Sequence, residues 1–293
     1  MSYVIDVDGK VKDPVVEDYS GYSGFKRAAL RAIQDWTYAP AMKNGKPTEQ
    51  CHKLVQFDFT MEGNTGATPR FVRVYKEANE MIGSEDYLAA EALVQEMHSN
   101  NKKHNRYENA WLWRVDSVLA KRLGDTKREL HSLRRTLASS VSHFKGRRTF
   151  DDAYIGYMRQ RLFSLEVYSA HYASAMQTIE KIESMSEAES LLKPLQATID
   201  KVHALIASEE NISVKVGLNE DENYFHLLAR HNFAFANING QLDSVEVRCD
   251  SRREKYIVAE AHIWRIPESW GQCQVMVKGK KDTTFDLVEV GKV

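Results

Sequence analysis

Two hundred and ninety-three residues exceed one ordinary hydrophobic core and point to two domains or three small ones. Hydrophobic residues make up 43% and charged residues 28%, which excludes both wholesale disorder and a disulfide-packed miniprotein. Forty basic against 41 acidic residues leave a net charge of −1, so the chain as a whole lacks the signature of a nucleic-acid or membrane-surface binder.

The first segment reads as β-β-α-β. Ser2 to Val7 alternates as a strand, Asp8-Gly9 is a hairpin turn, and Val11 to Tyr19 is a second strand. Ser20 to Gly24 is a loop. Phe25 to Trp36 is a helix, because Phe25, Ala28, Ala29, Ala32, Ile33 and Trp36 fall on one face. Pro40 prevents its continuation. Asn44-Gly45 is a turn, and Gln50 to Met61 is a third strand with Val55, Phe57 and Phe59 at period two.

Gly9 in the hairpin, the Phe25/Ala28/Ala29/Leu30 helix, its Trp36-x-Tyr38-x-Pro40-Ala41 exit and Asn44-Gly45-Lys46-Pro47 before the last strand come in the order of a known family. Over about 50 residues this segment resembles the C-terminal domain of TonB, the periplasmic energy transducer. The resemblance begins in mid-domain and implies a longer natural chain, whose missing part would hold half of the domain and a signal peptide. It also implies β-strand addition, in which an extended segment of an outer-membrane receptor pairs with an exposed sheet edge. The matching edge here is Lys53, Val55, Phe57 and Phe59; the alternative is a strand that is paired or covered. A full transducer carries a transmembrane anchor and a Pro-rich spacer before this domain. This chain has neither and continues for more than 200 residues, so it need not transduce energy.

Residues 63–69 are the clearest linker. Helical periodicity then predicts helices over 70–82, 85–98, 106–122, 125–143, 151–164, 168–183 and 187–208. Asp125 and Asp151 are candidate N-caps, Gly83 and Gly124 stops, and Pro194 a kink or a split. Turns at Gly83, Gly124 and Leu165 recur about every 41 residues, which suggests three helix pairs in a tetratricopeptide-like array; a plain bundle is the alternative. Trp111, Trp113, Tyr154 and Tyr157 are candidates to line its groove, or else belong to its core. Residues 99–148 carry 13 basic and 4 acidic side chains. That stretch is a solvated helix face or a docking surface for an acidic partner.

From Ile212 onward the pattern turns to short strands, at 212–218, 225–228, 233–238, 242–249, 255–258, 262–266, 273–277 and 284–290. Asn239-Gly240 and Lys278-Gly279 mark turns. Eight such strands suggest a small antiparallel β-sandwich. Cys249 and Cys273, both at strand ends, would form a disulfide in an oxidising compartment; the alternative is two buried thiols. Cys51 is left to pack as a small apolar residue.

The sequence contains no GxSxG, no P-loop, no HExxH and no GxGxxG after a strand. His98 and His104 flank a polar stretch suited to solvent, and Glu260 with His262 supplies too few ligands for zinc. Asp151-Asp152 fits a helix start better than a catalytic dyad. The sequence thus reads as a multidomain α+β chain: a partial ββαβ TonB-like module (1–62), a helical array (70–208) and a β-sandwich (211–293). It is expected to be a non-catalytic periplasmic protein-interaction protein without metal or cofactor. Its expected partners are an outer-membrane receptor or other TonB-system components.

Overall fold

The computed structural model describes residues 1–19, 23–59, 66–100, 104–140, 148–218, 220, 222–260 and 262–291. The chain forms a small α/β module, a helical array and a pair of antiparallel sheets.

In the module, β1 (Ser2–Ile5), β2 (Val11–Val15) and β5 (Gln50–Leu54) form an antiparallel sheet in the order β2-β1-β5. Gly9 takes φ 79°, and any Cβ there would collide with the Tyr38 carbonyl. Helix α1 (Ser23–Gln34) starts two residues earlier than the apolar period indicates. Trp36 lies beyond its end and packs on Phe57, with ring centroids 5.2 Å apart. The core is Tyr3, Ile5, Val11 and Ile33, joined by Trp36, Tyr38, Val55 and Phe57. The outer strands are shorter than expected. Strand β2 stops at Val15, after Asp13 at φ 44° and Pro14, which has no N–H to give to a ladder. Strand β5 stops at Leu54, and Thr60 and Met61 lie outside the described residues. Asn44 and Gly45, at φ 53° and 75°, close an additional two-stranded ribbon of β3 (Ala41–Lys43) and β4 (Lys46–Thr48).

The helices are α2 (Pro69–Gly83), α3 (Tyr87–Ser99), α4 (Arg106–Leu123), α5 (Thr126–Ser140), α6 (Asp152–Tyr168), α7 (Tyr172–Glu183), α8 (Ala188–Leu192) and α9 (Gln196–Ala207). Residues 141–147, assigned in part to the fifth helix from periodicity, lie outside the described residues. Asp125 and Asp151 accept from Arg128 N and Tyr154 N at 3.0 and 2.7 Å, satisfying amides that a first helical turn leaves unpaired. Gly124 ends α4 in the left-handed region at φ 72°. Pro194 splits the last expected helix, with a 3-10 turn at Lys193–Leu195 between α8 and α9. The helices α2–α3, α4–α5 and α6–α7 run as pairs; the first two turns lie at Ser84–Asp86 and Gly124–Asp125, but the third lies at Ser169–His171 and not at Leu165, because α6 continues to Tyr168.

Ion pairs to the buried carboxylates Asp116, Glu129 and Glu166 cross between these helices. Arg128 of α5 reaches Asp116 of α4 and Glu91 of α3, both at 2.6 Å. Arg161 of α6 holds Glu129 of α5 at 2.8 and 2.6 Å. Arg134 of α5 holds Glu166 of α6 at 2.8 Å, and Thr178 of α7 donates to the same carboxylate at 2.7 Å. Burial alone would raise the Asp116 pKa, but hydrogen bonds from His98, Arg128 and Ser132 outweigh it and hold the group at about 2.

The C-terminal part comprises β6 (Ile212–Gly217), β7 (Asn223–Leu227), β8 (Asn232–Asn239), β9 (Leu242–Cys249), β10 (Arg253–Ile257), β11 (Ile263–Arg265), β12 (Cys273–Gly279) and β13 (Thr284–Glu289). They form two four-stranded sheets, β10-β9-β12-β7 and β11-β8-β13-β6, over one core that includes Val214, Phe233, Phe235, Val247, Val275 and Leu287. Lys278-Gly279 is not a turn. Strand β12 runs through Gly279, where a Cβ would press on the Gln241 carbonyl, and the turn follows with Asp282 at φ 63°. Cys249 and Cys273 are disulfide-bonded as directly opposed residues of β9 and β12. The bond therefore lies within one sheet and does not tie the two sheets together.

One contact between the array and the sheets is made by His171, the residue before α7. Its Nε2 is 3.4 Å from the Tyr224 hydroxyl, which is 3.3 Å from His226 Nδ1; His226 Nε2 is in turn 2.9 Å from Glu289. Burial, then Arg134 and His226, push the His171 pKa down to about 3. The unfolded chain, with histidine near 6.5, therefore binds this proton first. The stabilising contribution of neutral His171 is complete above about pH 6.5 and is lost as pH falls toward 3. Melting temperature should fall over this window in wild type and fall less in His171→Phe; identical slopes in a pH series of melts would refute the assignment. Separately, the 24-residue separation of the disulfide predicts a loss of about 3.5 kcal/mol on reduction. Denaturant unfolding of wild type and Cys249→Ser/Cys273→Ser, each with and without reductant, measures it.

Candidate interaction sites

The segment after β5 continues past the sheet with its alternate side chains turned toward α1. Lys53 stands opposite Tyr3 in the ladder, and Val55 exchanges backbone hydrogen bonds with Met1 at 2.9 and 3.0 Å. Phe57 packs on Trp36, and Phe59 stacks on Phe25 with centroids 4.6 Å apart. The side of β5 away from β1 is met by the C-terminal sheets, because Cys51 N–H donates to the Asp250 carbonyl at 3.2 Å. Cys51 itself is fully buried, and burial pushes its thiol up to about 11.

A cleft of about 490 Å³ opens beside this segment. Residues 16–19 and 54–59, Phe25 and Ala29 of α1, the start of α4 and the end of α5 line it. Four buried polar atoms on lining residues have no hydrogen-bond partner: Glu17 Oε1, His104 Nδ1, Asn109 Oδ1 and Arg135 Nε. Arg135 lies over the Trp113 ring at 4.5 Å and pairs with Asp18. His104 is not a solvent group: its ring packs edge-on against Phe71 at 5.2 Å, and burial lowers its pKa. His98 likewise turns inward, 3.4 Å from Asp116.

The four aromatics picked out on the array divide. Trp111 stands in a ladder with Tyr75, Phe150 and Tyr154, whose successive centroids are 5.2, 4.6 and 5.4 Å apart, and Tyr157 follows at 6.2 Å. Trp113, only 8% exposed, faces His98, His131 and Arg135. Residues two apart on a helix point to opposing sides, so the two tryptophans cannot share one groove.

A groove of about 480 Å³ does exist on the array, with Tyr157 on its wall beside four basic residues and one acidic one. Arg114, Val118, Lys121 and Arg122 supply its α4 side, Met158 and Arg161 the α6 side, with Glu129 and Leu133 of α5 between. Arg114, Lys121 and Arg122 were not singled out from the sequence individually. The readable signal was their spacing of seven and eight on one helix, inside the stretch of 13 basic and 4 acidic residues. Among the described residues, no three His, Cys, Asp or Glu side chains converge as a metal site, and no helix is long and apolar enough to cross a membrane.

Residues 1–61 match the family model described as Gram-negative bacterial TonB protein C-terminal, and this segment is a TonB-like C-terminal domain. The match covers the module alone and does not extend into the helical array or the C-terminal sheets. No curated protein matches the chain.

An unpartnered buried amide oxygen costs about 1–3 kcal/mol, and replacing it with an apolar group of similar size removes that cost. Asn109→Leu is therefore expected to raise the melting temperature of the isolated protein by a few degrees, as read by calorimetry. No change, or a decrease, would mean that water already satisfies the cleft.

Proposed function

We propose that the chain is a non-catalytic protein-interaction protein of the Gram-negative envelope, located in the periplasm and linked to TonB-dependent transport. Its TonB-like module takes up an extended segment of an outer-membrane receptor or another TonB-system component. Residues 53–59, with Lys53, Val55, Phe57 and Phe59, are the segment against which that partner lies. The single supporting observation is the cleft of about 490 Å³ beside residues 54–59, a concavity along the extended segment that follows β5, against which a partner strand can be laid. The helical array adds a second surface for protein partners.

One observation favours a scaffold or adaptor that keeps the TonB-like fold without receptor binding. The module is tied to the C-terminal sheets: Asp250 takes up the Cys51 amide, Arg248 donates to the Asp13 carbonyl at 3.1 Å, and Arg253 pairs with the Asp13 carboxylate. A β5 edge held in this way has fewer groups to offer a receptor.

Fluorescence-anisotropy titration with peptides from the periplasmic plug segments of outer-membrane receptors distinguishes the two. Saturable binding, with new hydrogen-exchange protection at residues 54–59, is expected for the transport reading, together with its loss in Phe59→Asp. Absence of binding to every such peptide by the folded protein would leave the adaptor.

A further inference from the structure

The groove between α4 and α6 carries charge that its own walls do not neutralise. Its acidic lining residue, Glu129, is used by Arg161 through two hydrogen bonds at 2.8 and 2.6 Å. Arg114 is engaged with the ring and hydroxyl of Tyr154, both uncharged. Lys121 and Arg122 are exposed in the last turn of α4 and have no ion-pair partner among the described residues. Three positive side chains thus border one concavity without a countercharge. Apolar surface lies among them: half-buried Val118 lines the groove, and Tyr157 is 51% exposed.

Other arginines of the same basic stretch are consumed inside the array, Arg128 by Asp116 and Glu91 and Arg134 by Glu166. Arg114, Lys121 and Arg122 are left at a concave surface, where a ligand loses more water and feels the field more strongly than on a convex face.

We propose that this groove binds an acidic, extended peptide segment of a partner protein, with Arg114, Lys121 and Arg122 pairing carboxylates and Tyr157 and Val118 receiving one apolar side chain. A nucleic acid is disfavoured by the chain's net charge of −1. The site is separate from the TonB-like module, so it stands whichever reading of that module holds.

The probe is a fluorescein-labelled peptide of about ten residues, mostly Glu with one central Leu, titrated against the whole protein by anisotropy. Saturable binding that weakens with salt is expected, together with slowed hydrogen exchange at the end of α4 and along α6. Lys121→Glu/Arg122→Glu should weaken binding roughly tenfold or more, because repulsion replaces attraction at both positions. Arg73→Glu, which reverses an exposed charge on α2 outside the groove, should leave binding unchanged. Circular dichroism checks that each variant is folded, and exchange on the unaltered protein gives a readout that needs no variant. The proposal is overturned by absence of saturable binding or by equal loss in Arg73→Glu. It is also overturned by full displacement with equimolar inorganic phosphate, which would make this a simple anion site. A dimer in light scattering that the double variant abolishes would assign the groove to a second copy of the chain and overturn it as well.

Discussion

The attachment of the helical array to the C-terminal sheets depends on two buried groups, Arg230 and Glu289. Helix α9 ends without a glycine cap, so its last carbonyls need partners from elsewhere. Arg230 supplies them, donating to the carbonyls of Leu205, Ile206, Ser208 and Glu210. Glu289 is fully buried and accepts from the amides of Ala229 and Arg230, each at 2.7 Å, and lies beside His226. Both members have their hydrogen-bonding capacity filled, the condition under which a buried charge is tolerated. The guanidinium meets the negative end of the helix dipole as well as its unpaired oxygens. The first strand of the sheets therefore begins at a fixed place relative to the end of the array.

The same device recurs within the array. Asp116, Glu129 and Glu166 are all buried, and each is held by an arginine from a neighbouring helix. Well-packed apolar side chains would stabilise the array as well or better, and removing one partner of such a pair is costly. What the pairs add is a requirement that particular turns of adjacent helices stand opposite one another. Glu108 extends this to the linker, accepting from Thr68 and from the Asn105 amide, so that α2 and α4 start from a shared carboxylate.

Much of the fold was legible as local pattern. The strands from Ile212 to Glu289 follow short apolar runs between turns, and β9 spans 242–249 as read. Asp8-Gly9, Asn44-Gly45, Gly124 and Pro194 mark breaks because each acts on its own backbone. The small ribbon of β3 and β4 was missed because three-residue strands carry no readable period. Trp111 and Trp113 looked alike in sequence, but one joins an aromatic ladder while the other meets two histidines and an arginine. The basic groove was visible only as an excess of charge, since sequence does not say which arginines find a buried carboxylate.

The sequence by itself determined the kind and order of the elements, the TonB-like character of the first 61 residues and the location of the surplus positive charge. These are properties of side-chain spacing within a few residues. Only the tertiary structure decided that Asp250 meets β5, that Arg248 reaches Asp13 across 235 positions, and that the disulfide joins neighbouring strands of one sheet. Periodicity states which face of an element is apolar, but not which other face will cover it. That choice is made by summed burial, hydrogen-bond satisfaction and charge pairing over the whole chain.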